Sequence, residues 1–307
     1  MMITLASGLS YFDLDFMQLP RIIATAVVHG PGEVVLIDPG PSSTLPRLRS
    51  TLAAAGISMR DVTTVLLTHI HLDHAGATGT LVRELPKLRV FVHEKGAAHM
   101  ANPEKLVASA TRLYGSEMDR LWGEVRPVPA ANMEILQGGE RMAVGHRMFD
   151  VEYTPGHASH HVSYFDRDSG VAFVGDTAGV RLMAGGVVMP PTPPPDIDLE
   201  AWHRSLARIE RWRPDTLLLT HFGPSSPVAG HLSALRDHIG LAGTLVKRSL
   251  AREGEDADRE KWYIDELRRE LTRRMNIADA HAYEVAGRFD LNWRGLARYW
   301  RKKGATP

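Results

Sequence analysis

The chain has 307 residues, a formal net charge of zero and no cysteine. Zero net charge gives no reason to expect nucleic acid or an anionic membrane as a partner. The lack of thiols excludes disulfides, thiolate metal sites and cysteine nucleophiles, while 44% hydrophobic residues suffice for a substantial core in one large domain or a domain plus an appendage.

From Met1 to Asp13 there is no basic run and no long apolar stretch. Neither a signal peptide nor a transmembrane helix is therefore expected, and the default address is cytoplasmic. Short β-branched runs predict strands over Ile22–Val28, Val34–Ile37, Thr63–Leu67, Arg89–Val92, Phe149–Tyr153, His161–Phe165, Val171–Val174 and Thr216–Leu219. A hairpin turn is expected at His29-Gly30-Pro31-Gly32. Helical periodicity runs through Leu45–Ala55, Ala75–Leu85, Pro103–Leu121 and Leu199–Trp212. Interspersed strands and helices favour layered sheets covered by helices, an α+β architecture. No internal repeat is visible. The run Met189–Pro195, M-P-P-T-P-P-P, suits neither a regular helix nor a central strand. It reads as a stiff connector, and equally as a rigid wall beside a site. After about Val228 the pattern turns almost wholly helical and rich in Arg and Glu, with a charged break at Glu253–Asp258. This divides the chain into a main domain over 1–228 and a helical C-terminal extension over 229–307 packed on it. The aromatic residues Trp262, Tyr263, Trp293, Tyr299 and Trp300 are expected as its core or docking anchors.

The densest chemistry lies at Thr68-His69-Ile70-His71-Leu72-Asp73-His74, directly after the apolar run Val65-Leu66-Leu67. Imidazole nitrogen and carboxylate oxygen are the donors that zinc and similar divalent metals take. His69 and His71 alternate by two, so at an extended chain end both point the same way and can share one metal. Asp73 and His74 follow where a loop entering a helix turns them elsewhere; Asp73 also stands where a helix N-cap would. Further along, Pro155-Gly156 makes a sharp turn before His157. Asp176 follows Phe173-Val174-Gly175, and His221 ends the run Leu218-Leu219-Thr220. A carboxylate with two oxygens can bridge two cations, and ligands in this surplus suggest two metals and hydrolysis. His160 and His161 are candidates for supporting a ligand or facing substrate. Asp38, beside Pro39-Gly40, is expected to orient a ligand rather than to be one.

This ordered set (Asp38, His69-x-His71-x-Asp73-His74, His157, Asp176 and His221) resembles the five motifs of the metallo-β-lactamase fold superfamily over roughly residues 20–225. The resemblance implies an αββα four-layer sandwich with a dinuclear site at one edge. It assigns His69, His71 and His157 to a first metal, Asp73, His74 and His221 to a second, and Asp176 to a bridge. Asp176 and the T-P-G-H-x-x-x-H run of Thr154–His161 look like the glyoxalase II and lactonase branches rather than true β-lactamases. The helical C-terminal region is also similar to glyoxalase II, where it helps bind glutathione. The expected activity is hydrolysis of an ester, thioester or lactone by a metal-bridging hydroxide, with Asp73 relaying a proton. The cofactors would be two divalent metal ions, zinc first, with iron or manganese as alternatives. Rival expectations are a mononuclear iron oxygenase acting on sulfur, a phosphodiesterase, and a non-catalytic metal protein. Partners are expected to be a small-molecule substrate and a second copy in a homodimer, with neither nucleic acid nor membrane.

Overall fold

The structure, a computed structural model, describes residues 1–30, 32–183 and 185–304, with only the backbone of Val285. One sheet runs in chain order through β1 (Ile3–Ala6), β2 (Leu9–Asp13), β3 (Ala24–Gly30), β4 (Glu33–Ile37), β5 (Val62–Leu66), β6 (Arg89–His93) and β7 (Met133–Leu136). Its first four strands are antiparallel, and β4 to β7 are parallel. The second sheet contains β8 (Arg141–Val144), β9 (Arg147–Tyr153), β10 (Val162–Asp166), β11 (Val171–Phe173), β12 (Thr216–Leu219) and β13 (Gly223–Ser225), in the order β13-β12-β11-β10-β9-β8. Helices α1 (Leu45–Ala54), α2 (Leu72–Ala75), α3 (Thr78–Glu84), α4 (Glu94–Ala101), α5 (Glu104–Tyr114) and α6 (Met118–Trp122) follow strands of the first sheet. Then come α7 (Leu199–Trp212), α8 (Val228–Leu250), α9 (Asp256–Thr272), α10 (Ile277–Gly287) and α11 (Phe289–Lys302).

Strand periodicity sorts side chains into the layers of the expected sandwich. In β4, Val35 and Ile37 face a core that also holds Phe149, Val151, Tyr164 and Leu218 from the other sheet. Val34 and Leu36 point the opposite way, toward Leu48, Leu52 and Leu81 of the helices. In β12, Leu218 faces inward, while Leu217 and Leu219 pack outward against Trp202 and Leu206 of α7. Both faces of each central strand are therefore apolar, which is why these segments read as continuous apolar runs. The C-terminal helices do not form a separate core. Leu232, Tyr263, Trp293 and Tyr299 belong to one cluster with Leu217, Leu219 and Trp202. Burying each such side chain is worth roughly 1.5–3 kcal/mol. Among the described residues no helix is long and apolar enough to cross a membrane.

Several elements differ from expectation. The helix expected over Ala75–Leu85 is two pieces, α2 and α3, because the Ala77 amide donates to Gly40 (2.9 Å) instead of continuing the helix. Since α2 begins at Leu72, His71 is its N-cap and Asp73 lies inside its first turn. The helix expected over Pro103–Leu121 breaks at Gly115, where φ is +55°. Strands β1, β2, β7, β8 and β13 lack long β-branched runs and are absent from the expected set. Pro31 of the expected hairpin turn lies outside the described residues, and the flanking strands pair Gly30 with Glu33.

Candidate metal centre

Strand direction explains why distant motifs meet. β4 and β5 are parallel, so Asp38 and the His69–His74 segment emerge at the same sheet edge. In the second sheet β9 and β11 both run antiparallel to β10, and β12 runs parallel to β11. The segments carrying His157, Asp176 and His221 therefore leave their strands at one common edge. Three groups of potential ligands result: His69, His71 and His157; His69, His74 and Asp176; and Asp73, His74 and His221, with the ligand atoms of each group within 4.8 Å of one another. Asp176 faces both sides. Its Oδ2 lies 3.3 Å from His157 Nε2, and its Oδ1 lies 3.3 Å from His74 Nε2 and 3.5 Å from His221 Nε2.

The hydrogen-bond partners fix the tautomers of four histidines. A carbonyl can only accept, so His157 donates from Nδ1 to Pro191 O (2.8 Å), and His221 donates from Nδ1 to Ile22 O (2.5 Å). His74 Nδ1 donates to Asp38 Oδ2 at 2.8 Å. Thr68 Oγ1 gives its own proton to Asp38 Oδ2 (2.7 Å), so toward His69 Nδ1 (3.2 Å) it must accept. In the neutral rings all four Nε2 atoms then carry lone pairs, and those of His74, His157 and His221 lie within 3.5 Å of Asp176. His69 Nε2, His74 Nε2 and Asp176 Oδ1 are fully buried with no hydrogen-bond partner among the described residues. Stranded buried acceptors cost roughly 1–3 kcal/mol each, and a shared cation removes that cost. His71 Nδ1 lies 2.9 Å from His157 Nε2, again a pair of nitrogens facing each other. The donor set thus fits divalent metal, with imidazoles oriented by outer partners as metal-ligating histidines usually are.

Electrostatics agree. Burial pushes His69, His71 and His157 below the ordinary histidine range, and the neighbouring imidazoles add to this for His69 and His71. Burial opposes charge on His74 and His221 as well, but Asp176 and Asp73, with Asp38 at His74, push both upward. Burial would raise Asp73, yet His74 and His221 outweigh it and bring it down to about 2. Asp176 is likewise held well below the usual carboxylate range by His221, His157 and His74 against the effect of burial.

Asp38 does not face the ligand cluster directly. It accepts from Thr68 N (2.8 Å), Thr68 Oγ1, His74 Nδ1 and Thr220 Oγ1 (2.9 Å), so it orients His74 and ties two strand ends together. His161 lies under Asp176, taking its amide N–H on Nε2 at 3.2 Å, with Thr154 and Thr177 hydroxyls at Nδ1. His160 instead lines the cavity, and burial lowers its pKa to about 3, so it is neutral at pH 7. Gly156, at φ +144°, lets the loop lie on Trp202; a Cβ there would meet Trp202 Cα and Cβ at 2.4 Å. Pro191, whose carbonyl holds His157, belongs to the proline run. That run is held in turn by Asn292, which accepts from Thr192 N (2.7 Å) through its side chain and from Thr192 Oγ1 (3.1 Å) through its carbonyl. Sequence reasoning missed Thr68, Thr220, Thr177, Trp202 and Asn292. The repeated Thr-His pairs at 68–69 and 220–221 were a usable signal for the first two; nothing local marks Asn292.

Comparison with known proteins agrees with this geometry. Residues 20–221 match the family described as the metallo-beta-lactamase superfamily. The chain is 30% identical over 258 residues to the metallo-beta-lactamase fold-containing protein ST1585 of Sulfurisphaera tokodaii, covering 79% of this chain and 93% of that protein. It is 26% identical to a hydroxyacylglutathione hydrolase of Legionella pneumophila, over 48% of this chain and only 43% of that enzyme. Among solved structures it resembles the metallo-beta-lactamase family protein TTHA1429 of Thermus thermophilus, with a TM-score of 0.72, 25% identity, and coverage of 98% and 95% of the two chains. With a match spanning most of the chain and the donor set assembled at the expected sheet edge, the protein belongs to the metallo-beta-lactamase superfamily, a superfamily of metal-dependent hydrolases.

Proposed function

We propose that the chain is a dinuclear metal-dependent hydrolase that cleaves an ester, thioester or lactone, with zinc as the first choice of metal. The observation that carries this reading is the convergence of the Nε2 atoms of His74, His157 and His221 within 3.5 Å of Asp176, with His69 grouped beside them and the two Asp176 oxygens facing opposite halves of the cluster. His69, His71 and His157 would hold one cation, Asp73, His74 and His221 the other, with Asp176 between them. When bound, such cations supply Lewis acidity and lower the pKa of water toward neutrality. The side chain of Asp73 is 25% exposed, the most open of the carboxylates in the cluster, and it borders the cavity. Held ionised, it is placed to accept a proton from water there. Pro191, Asp38 and Thr68 keep the imidazoles in one tautomer. The hydroxyacylglutathione hydrolase relatives support a thioester as a first substrate to try, although they share only about half their length with this chain.

The test is elemental analysis of the purified protein and of Asp176→Ala, beside an ester, thioester and lactone screen. The expected result is two metals per chain in the wild type, fewer in the variant, and hydrolysis lost with the metal. One iron per chain, retained by the variant, would refute the dinuclear reading and direct attention to oxygen-consuming chemistry.

A further inference from the structure

A cavity of about 390 Å³ opens from the candidate metal centre. Its walls come from α5 on one side and from the proline run and the start of α11 on the other. Along α5, Leu106, Ala110 and Leu113 repeat at helical spacing, and Lys105, Ser109 and Arg112 run beside them. Burial grades across this wall. Ala110 is buried, as are Trp122 and Leu291 nearby; Leu106 and Leu113 are half-buried; Lys105, Arg112 and Lys95 are exposed. The cavity therefore has an apolar interior and a cationic rim.

The rim cations differ from the ion-paired arginines elsewhere on the surface. Arg120, Arg126, Arg268, Arg294 and Arg301 each hold a carboxylate. Arg288, also on the cavity wall, is held by Asp290 at 2.9 Å. Among the described residues, Lys95, Lys105 and Arg112 form no ion pair; Lys95 donates to the Tyr153 hydroxyl (2.7 Å) and lies 4.8 Å from the centre of that ring. Outside the candidate ligands, Asp196 is the acidic side chain on the wall, and it accepts from Ser159 Oγ. Unpaired cations at the mouth of a cleft raise the local concentration of anions.

From this we infer that the cavity takes a thioester or ester of an aliphatic acid whose leaving group carries a phosphate, with the acyl chain against Leu106, Leu113 and Trp122 and the phosphate at Lys105, Arg112 and Lys95. The inference rests on the hydrolase reading above. The reaction is hydrolysis: water oxygen bonds to the acyl carbon, the carbon–sulfur or carbon–oxygen bond breaks, and the leaving group takes up a proton. Nothing is oxidised or reduced.

The matched probes are hexanoyl-pantetheine and hexanoyl-4′-phosphopantetheine, which differ by one phosphate, assayed with the zinc-loaded full chain. The expected result is about a tenfold or greater preference in kcat/KM for the phosphorylated probe, weakened by salt and lost in Lys105→Glu/Arg112→Glu. Thermal unfolding of the double variant checks that it folds, and Lys95→Ala, an exposed change, provides a second and milder perturbation. Equal rates on the two probes, or a preference that survives charge reversal, would overturn the inference and leave the hydrolase reading standing. If neither probe is hydrolysed, the hydrolase reading is left to the metal analysis and the ester and lactone screen, and calorimetry with hexyl phosphate decides the inference separately. Binding that weakens in the double variant supports it; no binding, or equal binding in both proteins, overturns it.

Discussion

Asp38 offers the sharpest test of how the centre is built. It is 1% exposed, sits at φ +51°, and accepts four hydrogen bonds. Asp38→Ala strands the Thr68 amide, two threonine hydroxyls and the His74 ring N–H. At the low end of roughly 1–3 kcal/mol for each stranded group, the loss is about 4 kcal/mol. An alanine in the left-handed region adds about 1–2 kcal/mol. At about 2 °C per kcal/mol for a large domain, unfolding of the chelator-treated protein should fall by about 8 °C or more. Asp38→Asn is the more informative change, because asparagine tolerates this backbone conformation and keeps the shape. It presents an NH2 to a donor that the carboxylate satisfied, which costs about 1–3 kcal/mol. Freed from its fixed tautomer, His74 should bind metal more weakly, by roughly 10–100-fold for a partner of this kind. Thermal unfolding without metal and zinc competition against a chromophoric chelator measure the two effects separately. Asp38→Asn with wild-type unfolding and wild-type zinc affinity would refute the argument that Asp38 orients His74.

Two further changes probe the surroundings. Asn292→Ala leaves the buried Thr192 amide without its acceptor, so stability should fall by about 1–3 kcal/mol, and metal affinity should fall too because Pro191, which holds His157, is loosened. A stability loss with unchanged zinc titration would show that the proline run does not transmit to His157. His231 gives a pH prediction: its Nε2–H donates to Ala178 O (2.7 Å), Ser225 faces Nδ1, and burial lowers its pKa to about 4. Because the folded value lies below the unfolded value of about 6.5, the unfolded chain binds the extra proton, and stability falls as pH drops from 6.5 toward 4. Between pH 7 and pH 5 the loss from this residue is about 2 kcal/mol. His231→Gln should remove that part of the pH slope, as read by denaturant unfolding at the two pH values; an unchanged slope would count against it.

By itself the sequence determined the donors and the strands that carry them. The apolar runs before His69, Asp176 and His221 are legible because strands buried on both faces must be continuously apolar, and the His69, His71, Asp73 and His74 cluster is legible because its candidate donors lie close together in the chain. The α7 helix, Leu199–Trp212, is likewise local, set by its amphipathic spacing and by the Asp198 cap on the Ala201 amide. Short edge strands such as β1 and β8 were not legible, since pairing with a neighbour rather than residue type makes them strands. Tertiary structure alone decided how donors far apart in sequence converge: parallel β4 and β5, and the common direction of β9, β11 and β12, bring five strand ends to one edge. It also decided which nitrogen of His74, His157 and His221 is free, because their partners, the Asp38 carboxylate and the carbonyls of Pro191 and Ile22, come from other segments. The split of the expected Ala75–Leu85 helix has the same origin, a hydrogen bond from Ala77 to Gly40 across the fold. The C-terminal helices were readable as helices from their periodicity. Their part in the site was not, because it rests on Asn292 meeting Thr192 one hundred residues away, a contact that only packing creates.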